Sequence, residues 1–323
     1  MRNAGGVMLR TVTATDYHTA GEPFRIVTGG APDIPGATVL DRREAAATGP
    51  ADALRALLCN EPRGHADMYG CFVTEPEDTG ADLGVVFFHN AGYSTACGHG
   101  TIALVTWAIE TGRVPGPEVV VDVPSGRLPT VARIEDGRVV SVRFRNVPAF
   151  VHARGLSAAG REVDVAFGGA FYASLQERVE PAELPRLIEL GRAIKADLEA
   201  SYPIVHPAEP ELRDVYGVIF WQEEGAAPLT QRNVTVFADG EVDRSPCGSG
   251  TSARLALLHD EGRLATGEPL RHLSIVGSEF TGRVVEETPD GVVTEVEGSA
   301  HLTGRHEFVL DPADELGEGF LLR

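Results

Sequence analysis

Residues 97–114 read CGHGTIALVTWAIETGRV, and residues 247–264 read CGSGTSARLALLHDEGRL. The two stretches align without a gap at an offset of 150 residues, and seven of the eighteen positions are identical. Each opens with a Cys-Gly-x-Gly-Thr loop, continues through an apolar run (Ile102–Ile109, Leu255–Leu258) and closes on Gly-Arg. A glycine after roughly three turns is a common helix stop, and Thr101 or Thr251 is placed to cap the start. The period is too long for a solenoid and reads as two domains of similar fold. Cys97 and Cys247 then sit at or just before helix N-termini. There the free N–H groups and aligned dipoles predict a lowered thiol pKa and a cradle for a carboxylate.

Working outward, strand patterns run over Thr11–Ala14, Arg25–Thr28, Leu83–Phe88, Val119–Val123 and Val139–Phe144. The second half offers Val163–Phe167, Val215–Trp221, Asn233–Phe237, His272–Val276, Val292–Val296 and His306–Leu310. Longer helical patterns fall at Arg42–Leu58 and Leu184–Ala200. Strands outnumber helices and short turns separate them. The expected class is α+β, with one central helix per half inside a curved, mainly antiparallel sheet. The boundary is expected near Asn146–Ala149. It gives a first half, 1–147, carrying Cys97 and a second, 148–310, carrying Cys247, with the tail (about 311–323) packing on the first.

The chain has 323 residues, 43% of them hydrophobic and 23% charged, the balance of a globular protein. Its net charge is −19 and it has no basic run, so nucleic acid and anionic membrane surfaces are not expected partners. Met1–Thr15 lacks an apolar targeting core, and no run reaches the ~18 apolar residues of a membrane span. Four cysteines do not make a disulfide framework, and a reducing cytoplasm is the expected setting. Cys59 ends an apolar helix and Cys71 lies in a strand-like run, so both read as core.

Two facing thiols suit two-base chemistry, in which one thiolate removes a proton from a carbon and a thiol on the opposite face returns one. No lysine or phosphate-binding loop offers a pyridoxal site, so no cofactor is expected. Asp243, four residues before Cys247, is placed to take the ammonium of an amino acid; its plain alternative is a turn or cap aspartate. His99 is placed to touch substrate or tune the thiol. Cys97 with His99 makes a poor metal site, for no second ligand cluster has zinc-type spacing. A thiol redox enzyme would want a C-x-x-C motif. A cysteine hydrolase would want a dedicated histidine with its orienting partner.

The segments DYHTAGEPFRIV (16–27), NEPRGHADMYG (60–70), FFHNAGYSTACGHGTIAL (87–104), FGGAFYA (167–173), VDRSPCGSGTSARLAL (242–257), GSEFTGRV (277–284) and the closing GFLLR resemble the proline racemase family nearly end to end. That family includes hydroxyproline 2-epimerases and trans-3-hydroxy-L-proline dehydratases, and its fold resembles diaminopimelate epimerase, two pseudo-symmetric halves with the site between them. The resemblance implies that Cys97 and Cys247 are the two bases. It gives Gly98, His99, Gly248 and Ser249 the carboxylate, and Asp243 with His99 the amine of a small amino acid. It implies that His18 and Glu22 shape the cleft, makes Arg63 and His65 candidate organisers, and suggests a homodimer. GHADMYG, GGAFYA, the HPAEPELRDVYG stretch (206–217) and GFLLR look most like the dehydratases, which usually carry one cysteine of the pair. This chain has both, and on the site argument racemase or 2-epimerase is favoured over dehydratase.

Overall fold

The structure is a computed structural model that describes residues 10–322. Residues 1–9 of the opening segment and Arg323 of the closing motif lie outside the described residues. Among the described residues, five α-helices are set among β-strands: α1 (Val39–Thr48), α2 (Pro50–Cys59), α3 (Gly98–Glu110), α4 (Leu184–Ser201) and α5 (Gly248–Asp260). The class is α+β, as expected, and the strand and helix patterns named above fall within observed elements except two: His272–Val276 runs past the end of strand Leu270–Ser274, and Arg42–Leu58 spans α1 and α2.

Two corrections are local. The Arg42–Leu58 pattern is two helices, because Pro50 has no N–H to continue α1 and pushes Gly49 into extended backbone (φ −112°, ψ −172°). The N-cap of α3 is Cys97 itself, whose Sγ accepts the Gly100 N–H at 3.2 Å. Thr101, expected as the cap, sits one turn in and donates its hydroxyl to the Cys97 carbonyl.

The helix stops came out as read. At the end of α3, Arg113 N–H reaches the Ala108 carbonyl and Gly112 N–H the Ile109 carbonyl; at the end of α5, Arg263 bonds Leu258 and Gly262 bonds His259. These are paired Schellman bonds around a left-handed glycine, which accounts for the repeated glycine at 112 and 262.

Strand pairing follows the duplication. In the first half Arg25–Val27 pairs in parallel with Gly70–Phe72, and Leu83–Gly84 with Val121–Asp122. In the second, Phe171–Gln176 runs parallel to Val215–Trp221, and Leu229–Asn233 to Leu270–Ser274. The remaining strand pairs are antiparallel. Each central helix is the crossover of one parallel pair, and both are buried on all sides, from Gly98 to Ala108 and from Gly248 to Leu258. A helix so enclosed must be apolar or internally paired around its whole circumference.

Pairing also crosses the expected boundary at 147/148. Strand Gly291–Gly298 joins Arg138–Arg145, and Ala300–Leu310 returns to Arg10–Thr19. Phe320 bridges to Glu61. No helix among the described residues is long and apolar enough to cross a membrane.

Candidate active site

The two central helices meet end to end. Glycine is required where they touch, because a Cβ on Gly98 would lie 2.5 Å from the Cα of Gly248. Behind each contact stands a cysteine. A Cβ at Gly100 would come within 2.7 Å of Cys97 Sγ, and one at Gly250 within 2.9 Å of Cys247 Sγ. The Cys-Gly-x-Gly pattern thus has two physical uses: the first glycine lets the helix ends touch, and the second lets the thiol fold over the first turn.

Cys247 stands at φ +62°, ψ 104°, a backbone region that costs a non-glycine residue about 1–3 kcal/mol. Its neighbours hold it there. Ser245 Oγ accepts the Cys247 N–H at 3.1 Å and donates to Asp243 Oδ1 at 2.7 Å, and Ser245 N–H donates to the same oxygen at 2.8 Å. Asp243 is therefore a turn aspartate in this structure, in keeping with its plain reading, and one that fixes the cysteine.

His99 is buried, with both ring nitrogens 3.5 Å from Cys97 Sγ. Tyr69 and Phe24 pack edge-on against its ring, and Thr19 Oγ1 donates to its carbonyl at 2.8 Å. Ser249 Oγ and the Tyr172 hydroxyl are 2.7 Å apart, and the Cys247 thiol donates to that hydroxyl at 3.7 Å. Glu22 is wholly buried and ties the first half to the loop before Cys247, accepting the Arg244 N–H at 2.7 Å with the Arg244 guanidinium 3.3 Å away. The structure thus gathers Cys97, Gly98, His99, Asp243, Cys247, Gly248 and Ser249 about the helix junction, with Glu22 behind them.

It leaves three expected residues elsewhere. The His18 ring lies 5.3 Å from that of His301, tilted 39° to it, beside a surface cleft. Arg63 donates to the Val309 and Gly317 carbonyls, which ties down the C-terminal segment. The exposed His65 ring has the neighbouring Ala66 carbonyl as its hydrogen-bond partner, at 2.7 Å.

A sequence model described as proline racemase matches residues 14–321. The chain belongs to the proline racemase family. The trans-3-hydroxy-L-proline dehydratase of Azospirillum brasilense is 45% identical, over 97% of this chain and 99% of its own. The 3-hydroxyproline 2-epimerase of Burkholderia multivorans is 44% identical over the same shares. A hydroxyproline epimerase from Agrobacterium vitis, solved with bound trans-4-hydroxy-L-proline, superposes with a TM-score of 0.90 at 33% identity, covering 97% of this chain and 95% of that one. This proline racemase family member thus has relatives that are isomerases and relatives that are dehydratases.

The electrostatics of this family member overturn one expectation. Both thiols were expected to be lowered toward the thiolate, and both are raised. Burial dominates at each. At Cys97 the Gly100 amide pulls down, while the Asp243, Cys247 and Glu22 charges push up. At Cys247, Asp243 adds to the rise, against the Gly250 amide and the Tyr172 and Thr235 hydroxyls. A helix N-terminus stabilises an anion by about 1 kcal/mol, which loses to the desolvation of a fully enclosed thiolate. Burial likewise pushes Asp243 up to about 6 against its Ser245 bonds, raises Glu22 well above the usual carboxylate range, and drops His99 to about 3, a neutral imidazole.

The sequence reading missed Tyr172, Tyr69 and Arg244. Tyr172 and Tyr69 sat inside the quoted motifs FGGAFYA and GHADMYG, but a tyrosine in a strand carries no local sign of which thiol or ring it will face.

Proposed function

We propose that this protein is a cofactor-independent racemase or 2-epimerase of proline or hydroxyproline, with Cys97 and Cys247 as base and acid on opposite faces of Cα. One observation carries the reading: two thiols occupy equivalent places at the N-termini of helices that touch through Gly98 and Gly248.

In this reading the substrate carboxylate takes the N–H groups of Gly98, His99, Gly248 and Ser249, where two helix N-termini add their positive ends. The ring nitrogen, protonated, lies toward Asp243. That charge offsets the burial that raises Asp243, Glu22 and both thiols, so each acid is easier to ionise with substrate bound. One cysteine is then a thiolate and takes the Cα proton. The electron pair moves into the carboxylate, which the amides stabilise as its charge grows. The opposite thiol delivers its proton to the other face. Burial helps here, for a thiolate formed in a dry site is a stronger base than one in water and closer to the weak acidity of Cα–H.

A second reading is supported by the 45% identity to the Azospirillum brasilense trans-3-hydroxy-L-proline dehydratase. There one thiolate removes the Cα proton and the 3-hydroxyl takes up a proton and departs as water, giving an enamine that tautomerises to the cyclic imine. Proton NMR of the reduced enzyme in D₂O, with L-proline, trans-4-hydroxy-L-proline and trans-3-hydroxy-L-proline in separate tubes, tests both. Loss of the Cα signal with appearance of the D-isomer or 2-epimer supports the first reading and names the substrate. Loss of the 3-hydroxyproline ring signals into an imine supports the second. Silence in all three tubes defeats both.

A further inference from the structure

Strand pairing runs without a break from strand Ala300–Leu310 to strand Phe150–Ala158, with two short spurs at Gly92–Tyr93 and Glu241–Asp243. Each of the two terminal strands keeps one edge that no described strand pairs.

An unpaired edge is a template for another chain, and a bulge is one way to blunt it. Strand Phe150–Ala158 is blunted. Its register with Arg161–Phe167 shifts twice, and Gly155 stands at φ +63°. Strand Ala300–Leu310 is not. From Gly304 to Leu310 it pairs one to one with Asp16 back to Arg10, and its single shift lies beyond that run, at Asp16/Tyr17.

The regular run also has outward-facing hydrogen-bonding groups. Arg63 donates to the Val309 carbonyl at 2.9 Å from outside the sheet. Along an antiparallel ladder the bonding direction alternates from residue to residue, so the N–H and C=O groups of Glu307 and Arg305 point the same way as that carbonyl.

The side chains on this edge complement themselves. Leu302, Arg305, Glu307 and Val309 lie opposite Tyr17, Thr15, Thr13 and Thr11, alternate residues of one strand, and so share a face. All four are exposed, and among the described residues neither Arg305 nor Glu307 makes an ion pair. Read along the strand they run apolar, positive, negative, apolar. An antiparallel copy reads apolar, negative, positive, apolar.

We propose that this edge pairs with the same edge of a second copy, across a two-fold axis at His306, to make a homodimer whose sheet is continuous through both chains. In that register Arg305 lies opposite Glu307 of the partner subunit, and Glu307 opposite Arg305 of the partner subunit. Both are hydrogen-bonded pairs. Leu302 meets Val309 of the partner subunit, and the exposed Leu316, in the segment that Arg63 ties beside Val309, widens each apolar end. An axis at residue 305 would set arginine against arginine, and one at 307 glutamate against glutamate, so the charges fix the register. The complement this edge asks for is the edge itself, which makes the partner a second copy rather than a foreign strand. The pairing is independent of which reaction the site performs.

Sedimentation velocity of the full chain over a concentration series is expected to show a particle of twice 34.4 kDa. Arg305→Glu sets glutamate against glutamate twice and is expected to raise the dimer dissociation constant about tenfold or more, as does Glu307→Arg with its arginines. The double variant, Arg305→Glu with Glu307→Arg, restores opposite signs and returns the constant to within about threefold of the unmodified chain. His306→Cys puts two thiols at the axis. There the Cα atoms of a non-hydrogen-bonded pair lie about 4.5 Å apart, within disulfide range, and mild oxidation gives a covalent dimer. Thr303→Cys stands far from its own copy in this register and gives none. The four native cysteines are buried, so the unmodified chain serves as the blank.

A monomer at every concentration overturns the proposal. So does a dimer that Arg305→Glu leaves as tight as before, or a double variant as weak as the single ones. Cross-linking of Thr303→Cys in place of His306→Cys puts the contact in another register and overturns it as well.

Discussion

Gly98 and Gly248 touch backbone to backbone: a Cβ on the first would stand 2.5 Å from the second's Cα, and a Cβ on the second 2.6 Å from the first's. The Phe144 ring closes the space beneath, 2.9 Å and 3.1 Å from those same positions. Neither helix can give way without moving its cysteine. Gly98→Ala or Gly248→Ala is expected to cost about 1–3 kcal/mol of stability as an overpacked core. The loss in kcat should be larger, about a hundredfold, because a displacement near 1 Å spoils the alignment of both thiols. Urea denaturation and steady-state rates on the same preparations check this. Activity within twofold of the unmodified enzyme in either variant would show the contact to be slack.

Tyr172 connects the two polar groups of the second site, its hydroxyl lying 2.7 Å from Ser249 Oγ and 3.7 Å from Cys247 Sγ. Tyr172→Phe leaves a buried serine without that partner, which is expected to cost about 1–3 kcal/mol. It also removes a group that lowers the Cys247 thiol. Adding Ser249→Ala should recover stability, because both partners are then gone, yet leave the rate low. Melting temperatures and kcat of the two single variants and the double variant decide it. Recovery of rate along with stability would mean that the hydroxyl serves only to satisfy Ser249.

What was legible in the sequence was local. The Cys-Gly-x-Gly-Thr loops, the Gly-Arg stops and the alternation of the strands report on neighbours a few residues apart, and α3 and α5 follow from them. The split at Gly49-Pro50 was equally local and was passed over in favour of an unbroken helical period. The direction of the thiol pKa shifts was not legible, because it depends on how completely distant residues wall the thiols in. Phe24 and Tyr69 enclose the His99 side, and Tyr172 comes from a strand some 75 residues before Cys247. The return of strand Ala300–Leu310 to Arg10–Thr19 is hidden for the same reason, since pairing across most of the chain leaves no trace in either segment alone.

Asp243 makes a prediction about pH. Its carboxyl is raised from 3.8 to about 6, chiefly by burial. Above pH 6 it is ionised in both the folded and the unfolded chain, and the folded chain bears the desolvation cost. Below about 4 it is protonated in both and the cost vanishes. Asp243 therefore stabilises the fold progressively as pH falls from 6 to 4, while asparagine does not titrate. The stability of Asp243→Asn minus that of the unmodified enzyme should be positive near pH 7, at most about 3 kcal/mol, and shrink toward zero by pH 4. Denaturation curves at several pH values measure it. A difference independent of pH would place the folded pKa near its ordinary value.

The two cysteines can be told apart by which face of Cα each one serves. In Cys97→Ser the remaining thiolate is Cys247, which reaches the Cα proton of one enantiomer only. It removes that proton, exchanges with D₂O and returns deuterium to the same face, so the substrate is labelled without inversion. Cys247→Ser should do the same to the opposite enantiomer. Interconversion of the enantiomers should fall about a thousandfold or more in both variants, because each has lost either its base or its acid. Proton NMR in D₂O, with each enantiomer supplied separately to each variant, reads out both quantities. Exchange of the same enantiomer by both variants would mean that the two thiols share one face, a geometry that permits dehydration but not two-base racemisation.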